Sequence, residues 1–218
     1  MKKSMTKEIL DLIRNMQNID YIDPDEIPNI DLYMDQVTTF MDQHLQSSKR
    51  FEDDKILTKT MINNYTKNNL LPPPDKKKYS REHMLLLIFI YYFKTFLSIS
   101  DIKSILTPLT DKYFNAKEDD SLSFADIYST IFDDQKSEIN NITKDIIDKL
   151  RRSQGTFPDV EDEDERKMLS AFSFICMLSF DVWVKKAIIE TFIDESLSQN
   201  KNEEQEIKGK KEENKKEE

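Results

Sequence analysis

LTKTMINNYTKNNLLPPPDKKKYSREHMLLLIFIYYFKTFLSISDIKSIL, residues 57–106, decides the fold. Its middle, 84–93, is ten apolar or aromatic residues without a charge, preceded by Ser80 as a helix N-cap. The near-continuous apolar character of REHMLLLIFIYYFKTF predicts a helix covered on most sides, at the centre of its domain. Before it, residues 57–71 place Leu57, Met61 and Tyr65 at i, i+4, i+8 with Ile62 at the edge, which predicts a helix that docks by that side. The prolines 72–74 lack amide donors and restrict the residue before them, so they are expected to stop it, leaving DKKKY extended or loop-like. Downstream, Ser100 is the expected cap of DIKSILTPL, where Ile102, Ile105, Leu106 and Leu109 share a face before Pro108 and polar residues weaken the helix.

Working outward, Asp31 is the expected cap of a helix with Tyr33, Met34, Val37, Phe40, Met41, His44 and Leu45 on one apolar face, where His44 reads as a hydrogen-bonded core residue. A polar connector, 46–55, follows. Past residue 112, two helices are expected at about 124–132 and 138–152. The acidic run 161–165 then suits the positive end of the dipole of a helix over 166–197, continuous or broken. Aromatic residues Phe172, Phe174, Phe180, Trp183 and Phe192 surround that helix, so it must be buried within the subunit or in an oligomer. Thirteen charges in 201–218 predict a disordered tail. The organisation is therefore all-α: an amphipathic helix in 1–20, a module over 21–112, a helical region over 113–200 and the tail.

Composition removes whole classes of function. With 218 residues and 38% hydrophobic content the chain can build a core. Its two glycines, Gly155 and Gly209, leave no glycine-rich phosphate loop, dinucleotide fingerprint or glycine-dependent hairpin. One cysteine, Cys176, excludes an internal disulfide and a Cys-rich zinc site, and lies in FSFICMLSF without a basic neighbour, as a buried thiol would. The two histidines, His44 and His83, form no dyad; Glu82 and His83 diverge by about 100° on a helix. No catalytic residue, metal ligand or cofactor is expected, and the chain reads as a non-enzyme. The apolar runs 84–93 and 168–184 are both shorter than a span of about 20 residues, so no membrane partner is expected. Glu8, Asp11 and Arg14 interrupt any signal core, which points to the cytoplasm.

Charge is unevenly placed. The net charge is −10, yet residues 55–81 hold seven basic side chains against Asp75, a local balance of +6 that leaves −16 on the rest. Such a field attracts a polyanion locally. On a helical wheel Lys59, Thr60, Asn63, Thr66 and Lys67 face away from Leu57, Met61 and Tyr65. Lysines neutralise phosphates, asparagine pairs with adenine, and threonine touches phosphate or a thymine methyl. Lys76, Lys77 and Lys78 on the proline-stiffened loop, with Arg81 nearby, would reach DNA backbone or minor groove. A polar helix face or a lysine run alone is only solvated surface; together they favour DNA. The alternative is a protein-interaction adaptor on the same scaffold, recognising a basic partner through the acidic remainder and the apolar C-terminal helix.

The stretch 57–106 resembles the winged helix-turn-helix DNA-binding domain of MerR-type transcription regulators. Tyr65, Leu70, Leu71, Pro72, Tyr79, Ser98, Asp101 and Ile102 fall at corresponding places. Asp101 replaces a glutamate, Asn69 stands where glycine is usual, and the glycine before the last helix is missing. The phrases IDLYMDQVTTFM, LTKTMINNYTKNNLLPPPDKKKYSREH and LSISDI are similar to a bacterial family known as Domain of Unknown Function 1836, over about residues 20–150. The resemblance implies a transcriptional regulator with recognition helix 57–71 and basic wing 72–81, and a C-terminal region for oligomerisation or sensing. A homodimer through 166–197 is expected to use Phe172, Ile175, Cys176, Val182 and Trp183, with Phe174, Met177, Leu178 and Phe180 turned inward.

Overall fold

Ser80 opens the central helix, and its backbone amide donates to His83 Nδ1 at 3.0 Å, satisfying one of the donors that a helix start leaves free. In this computed structural model the described residues are 7, 22–114 and 122–214, of which 135–136 and 196–214 are described by backbone alone. The expected helix in 1–20 lies outside them except for Lys7. The described chain is mostly helical: α1 (Met34–His44), α2 (Lys59–Lys67), α3 (Arg81–Phe93), α4 (Ile99–Tyr113), α5 (Phe124–Gln154) and α6 (Glu163–Asn214). Short 3-10 turns sit at Pro24–Glu26 and Gln46–Ser48. Two short strands, β1 (Leu32–Tyr33) and β2 (Lys78–Tyr79), pair antiparallel with Leu32 opposite Tyr79 and Tyr33 opposite Lys78. No helix among the described residues is long and apolar enough to cross a membrane.

Every side chain of α3 from His83 to Tyr91 is buried. A helix without a wet face is stabilised only if neighbours cover it all round, and each large apolar side chain contributes about 1.5–3 kcal/mol when they do. β2 covers its start and α5 its later turns. The α5 side supplies an aromatic cluster: Phe89 meets Phe124, Tyr128 and Phe132 with ring centroids 5.4–6.2 Å apart. Tyr128 also donates from its hydroxyl to the Ile22 carbonyl at 2.9 Å, in the interior. Ile22, α3, the start of α5 and Ile193 of α6 thus share one core.

Several local expectations are corrected. The β1–β2 pairing takes up Leu32 and Tyr33, so α1 begins at Met34 rather than after an Asp31 cap, and Tyr33 is exposed instead of lying on the apolar face. Helix α2 spans only Lys59–Lys67: Thr58 Oγ1 accepts from the Met61 amide at 3.2 Å and starts it. It ends well before the prolines. Asn69 takes a left-handed φ of 53°, the Leu70 amide reaches back to the Tyr65 carbonyl at 2.9 Å and the Asn69 amide to Thr66 at 3.1 Å. That is the Schellman pattern, whose left-handed residue is usually glycine and sometimes asparagine, which accounts for Asn69 at a position where glycine is usual. In α4 the cap is Ser98, not Ser100. Its hydroxyl accepts from the Asp101 amide at 3.2 Å while its own amide donates to the Asp101 carboxylate at 3.3 Å. The helix then runs through Pro108 to Tyr113.

The two helices expected beyond residue 112 form one, α5, because the intervening 133–137 contain no proline or glycine to stop it. Helix α6 is continuous and, in backbone, runs through 201–214, where the composition predicts disorder. That stretch is rich in Glu and Lys, good helix formers that need no core to extend a helix already begun. Lys149 of α5 pairs with Asp181 of α6 at 2.7 Å and with Asp145 on its own helix, tying the two long helices together. Phe180, expected inward, and Cys176, expected as a buried thiol, are exposed on α6 because its packed side carries Ser170, Phe174 and Ile193 instead.

Tyr128→Phe takes away the hydroxyl that donates to the buried Ile22 carbonyl while keeping the ring, so the unfolding free energy is expected to fall by about 1–3 kcal/mol in urea denaturation. A change within error would mean that the carbonyl finds another partner.

Candidate nucleic-acid interface

The outer side of α2 and the turn before β2 are built by different means. Ile62 and Tyr65 are buried and fix the rotation of α2, which leaves Lys59, Thr60, Asn63 and Lys67 exposed. Thr66 is half-buried, and its hydroxyl donates to the Ile62 carbonyl at 3.3 Å. Lys59 is paired with Asp35 of α1, so part of its charge is already neutralised. The outward set therefore keeps Thr60, Asn63 and Lys67 facing solvent, at and before the C-terminal end of the helix.

The lysine segment is a tight turn rather than an open loop. The Lys78 amide donates to the Asp75 carbonyl at 2.8 Å, and Lys76 and Lys77 between them have φ of 46° and 67°. Two consecutive left-handed residues make this a type I′ turn, which ordinarily takes asparagine and glycine. Here two lysines fill it, so a hairpin-type turn forms without glycine. The left-handed region costs an L-residue about 1–2 kcal/mol, so the structure around the turn must hold these lysines there. Both are exposed. Lys78 is half-buried, its ammonium 5.4 Å from the centre of the exposed Tyr33 ring on β1.

Arg81 is placed differently from the lysines. Its Nη2 donates to the Pro24 carbonyl at 2.8 Å and lies 3.8 Å from the Asp25 carboxylate, while its buried Nε has no hydrogen-bond partner among the described residues. The guanidinium anchors the first turn of α3 to the Pro24–Glu26 turn. Nearby His83 is 5% exposed, with its ring edge-on to Tyr79 and Phe114. Since Nδ1 receives the Ser80 amide proton, the neutral ring carries its own proton on Nε2, which faces the Pro72 and Pro73 carbonyls without closing a hydrogen bond to either. Burial pushes its pKa below the usual 6.5, while the carbonyls and the charges of Glu82 and Asp31 pull the other way. His83 is thus packed between Tyr79 and Phe114 at the start of α3.

Two contributors are not legible in the sequence. Lys103 of α4 reaches across to the Asn68 carbonyl at 3.1 Å, setting another ammonium at the negative end of the α2 dipole. Tyr33 supplies an exposed ring beside Lys78. The first depends on long-range packing and the second on a strand pairing too short to leave an alternating pattern. Among the described residues no three His, Cys, Asp or Glu side chains gather as a metal site would require.

The family described as Domain of unknown function (DUF1836) matches residues 22–131, and the chain belongs to it. The match takes in α1 to α4, both strands and the first turns of α5, and with them every residue of the candidate interface. No curated protein and no solved structure matches the chain.

Two outcomes test this geometry. Replacing Lys76 and Lys77 by Asn and Gly, the residues a type I′ turn prefers, should raise the unfolding free energy by about 1 kcal/mol; a decrease would show that the lysine side chains hold the turn. Between pH 7 and pH 5, stability should decline as pH falls through 6.5, because the unfolded chain binds a proton that buried His83 refuses. His83→Asn, which keeps an acceptor for the Ser80 amide, should flatten that decline in pH-resolved denaturation curves.

Proposed function

We propose that this protein binds DNA as a transcriptional regulator, with residues 21–112 forming a MerR-like winged helix-turn-helix module. Helix α2 enters the major groove and the turn 75–78 is the wing. The observation that carries this reading is the pair of lysines held in left-handed backbone at the tip of a tight turn, where asparagine and glycine would be more stable. Strain retained with a charge at its apex is the mark of a group kept for contact rather than folding. Lys76, Lys77 and Lys67 neutralise phosphates, with Lys103 beside them. Thr60 and Asn63 reach base edges, and Thr66, bonded to its own helix, offers only its methyl. Lys59 must exchange Asp35 for phosphate. Lys78 steadies the wing against Tyr33, and Arg81 supports it from below.

A protein-interaction adaptor is the second reading. The apolar residues exposed along α6 favour it, because an adaptor needs such a face and a DNA reader does not.

The experiment is binding of genomic fragments to the purified full chain, followed by affinity measurement across salt concentrations on the enriched sequence. Lys76→Glu with Lys77→Glu should lower affinity on all DNA and flatten the slope of log K against log salt by about 0.9 for each phosphate no longer neutralised. Asn63→Ala should cost about 1–3 kcal/mol on the enriched site and far less on random DNA. No enrichment, or a slope indifferent to the wing lysines, would leave the adaptor reading.

A further inference from the structure

Lys94, directly after α3, holds one end of the connector between α1 and α2. Its ammonium donates to the Ile56 carbonyl at 2.5 Å and sits 4.6 Å from the centre of the Tyr91 ring. Tyr91, three residues earlier, is buried, and its hydroxyl shares a hydrogen bond with that of Ser48. The end of α3 thus grips the segment 46–58 near both of its ends, with Ile56 two residues before Thr58, the cap of α2. Lys94 is itself half-buried, and among the described residues no carboxylate pairs with it. We propose that Lys94 is a modification site: its amine accepts a small acyl group from an acyl phosphate, and the acylated side chain releases the connector. This goes beyond the DNA-binding reading and stands without it.

The surroundings of Lys94 select amine chemistry. A lysine taken from water without a counter-charge is destabilised in its charged form, and burial accordingly pushes the Lys94 pKa below the usual 10.5. A pKa lowered by one gives about ten times more free amine at neutral pH. Free amine is the reactive species, because only it has a lone pair. The Ile56 carbonyl takes one N–H and leaves that lone pair open to attack. In the step, Nζ bonds to the acyl carbonyl carbon and the bond from that carbon to the phosphate oxygen breaks. Inorganic phosphate leaves with the electron pair, and a proton from Nζ passes to solvent. An acyl phosphate brings its own leaving group and asks no catalytic residue of this chain, and a half-buried amine favours a small donor over a bulky one. The product is an uncharged amide with a larger head. A charged donor makes a hydrogen bond roughly twice as strong as a neutral one, so the amide holds Ile56 less well, and its acyl group must be fitted between the connector and Tyr91.

Treatment of the full chain with acetyl phosphate at neutral pH, followed by peptide mass spectrometry, tests this. Lys94 should be acetylated about threefold or more faster than the exposed Lys112 and Lys144. Lys112 is the sharper comparison, because its ammonium also lies over a tyrosine ring, 5.0 Å from the centre of Tyr113, but in solvent. The second readout is cutting by chymotrypsin after Phe51, which is 58% exposed in the connector. Acetylated chain should be cut there severalfold faster than untreated chain. Lys94→Arg, of unchanged helicity by circular dichroism, keeps a charged donor and takes no acyl group, so the same treatment should bring no increase. Acetylation of Lys94 no faster than of the two exposed lysines would overturn the proposal. So would equal cutting of treated and untreated chain, or an equal increase in treated Lys94→Arg, which would place the effect at other lysines.

Discussion

A helix buried on every side sets the terms for the rest of this chain. From His83 to Tyr91, α3 has no side chain that water can reach freely, so its own sequence is insoluble as a surface and stable only as a filling. The surrounding elements are arranged to enclose it. The strand β2 runs directly into its N-terminus, α1 packs against the strand pair, and Phe124, Tyr128 and Phe132 close over Phe89. The lysine turn inherits its position from this arrangement: Tyr79 is buried, Lys78 is paired to Tyr33, and Asp75, Lys76 and Lys77 stand in solvent.

Whatever depends on a few neighbouring residues is legible in the sequence. The apolar run announces α3 and its burial, and the spacing finds the docked side of α2 through Tyr65 and Ile62, although it centres that side on Met61, which is only half-buried. Ser98 and Asp101 stand in the spacing of a capping box, although the pattern of apolar residues points to Ser100 as the cap. Boundaries fail where a tertiary or backbone effect competes with composition. Asn69 ends α2 by adopting a left-handed backbone that only the carbonyls of Tyr65 and Thr66 make favourable, and the prolines beyond it arrive after the helix has finished. β1 and β2 consist of two residues each, joined across the length of α1 and α2. No alternation can appear in so short a strand, so their pairing follows from burial of Leu32 and Tyr79 and not from pattern.

The candidate interface divides in the same way. Five outward positions on α2 are readable because a helix with one apolar face must have a polar one. Their separate circumstances are not: Lys59 is engaged by Asp35, Thr66 by its own helix, and Arg81 by the Pro24 carbonyl. A count of positive residues treats all of these as equal, whereas the geometry separates the outward ammonium groups of Lys67, Lys76 and Lys77 from cations already engaged by the fold. Thus the local +6 overstates the charge available to a partner, and the strained turn concentrates what remains at one point.

The two halves of the chain are not mechanically independent. Phe124, Tyr128 and Phe132 lie in the first turns of α5 and are buried with α3, while Ile193 brings α6 into the same core. Lys149, held between Asp145 and Asp181, locks the far part of the α5–α6 pair. Because the core and the long helices share these residues, α6 is held to the same core that positions α2 and the lysine turn.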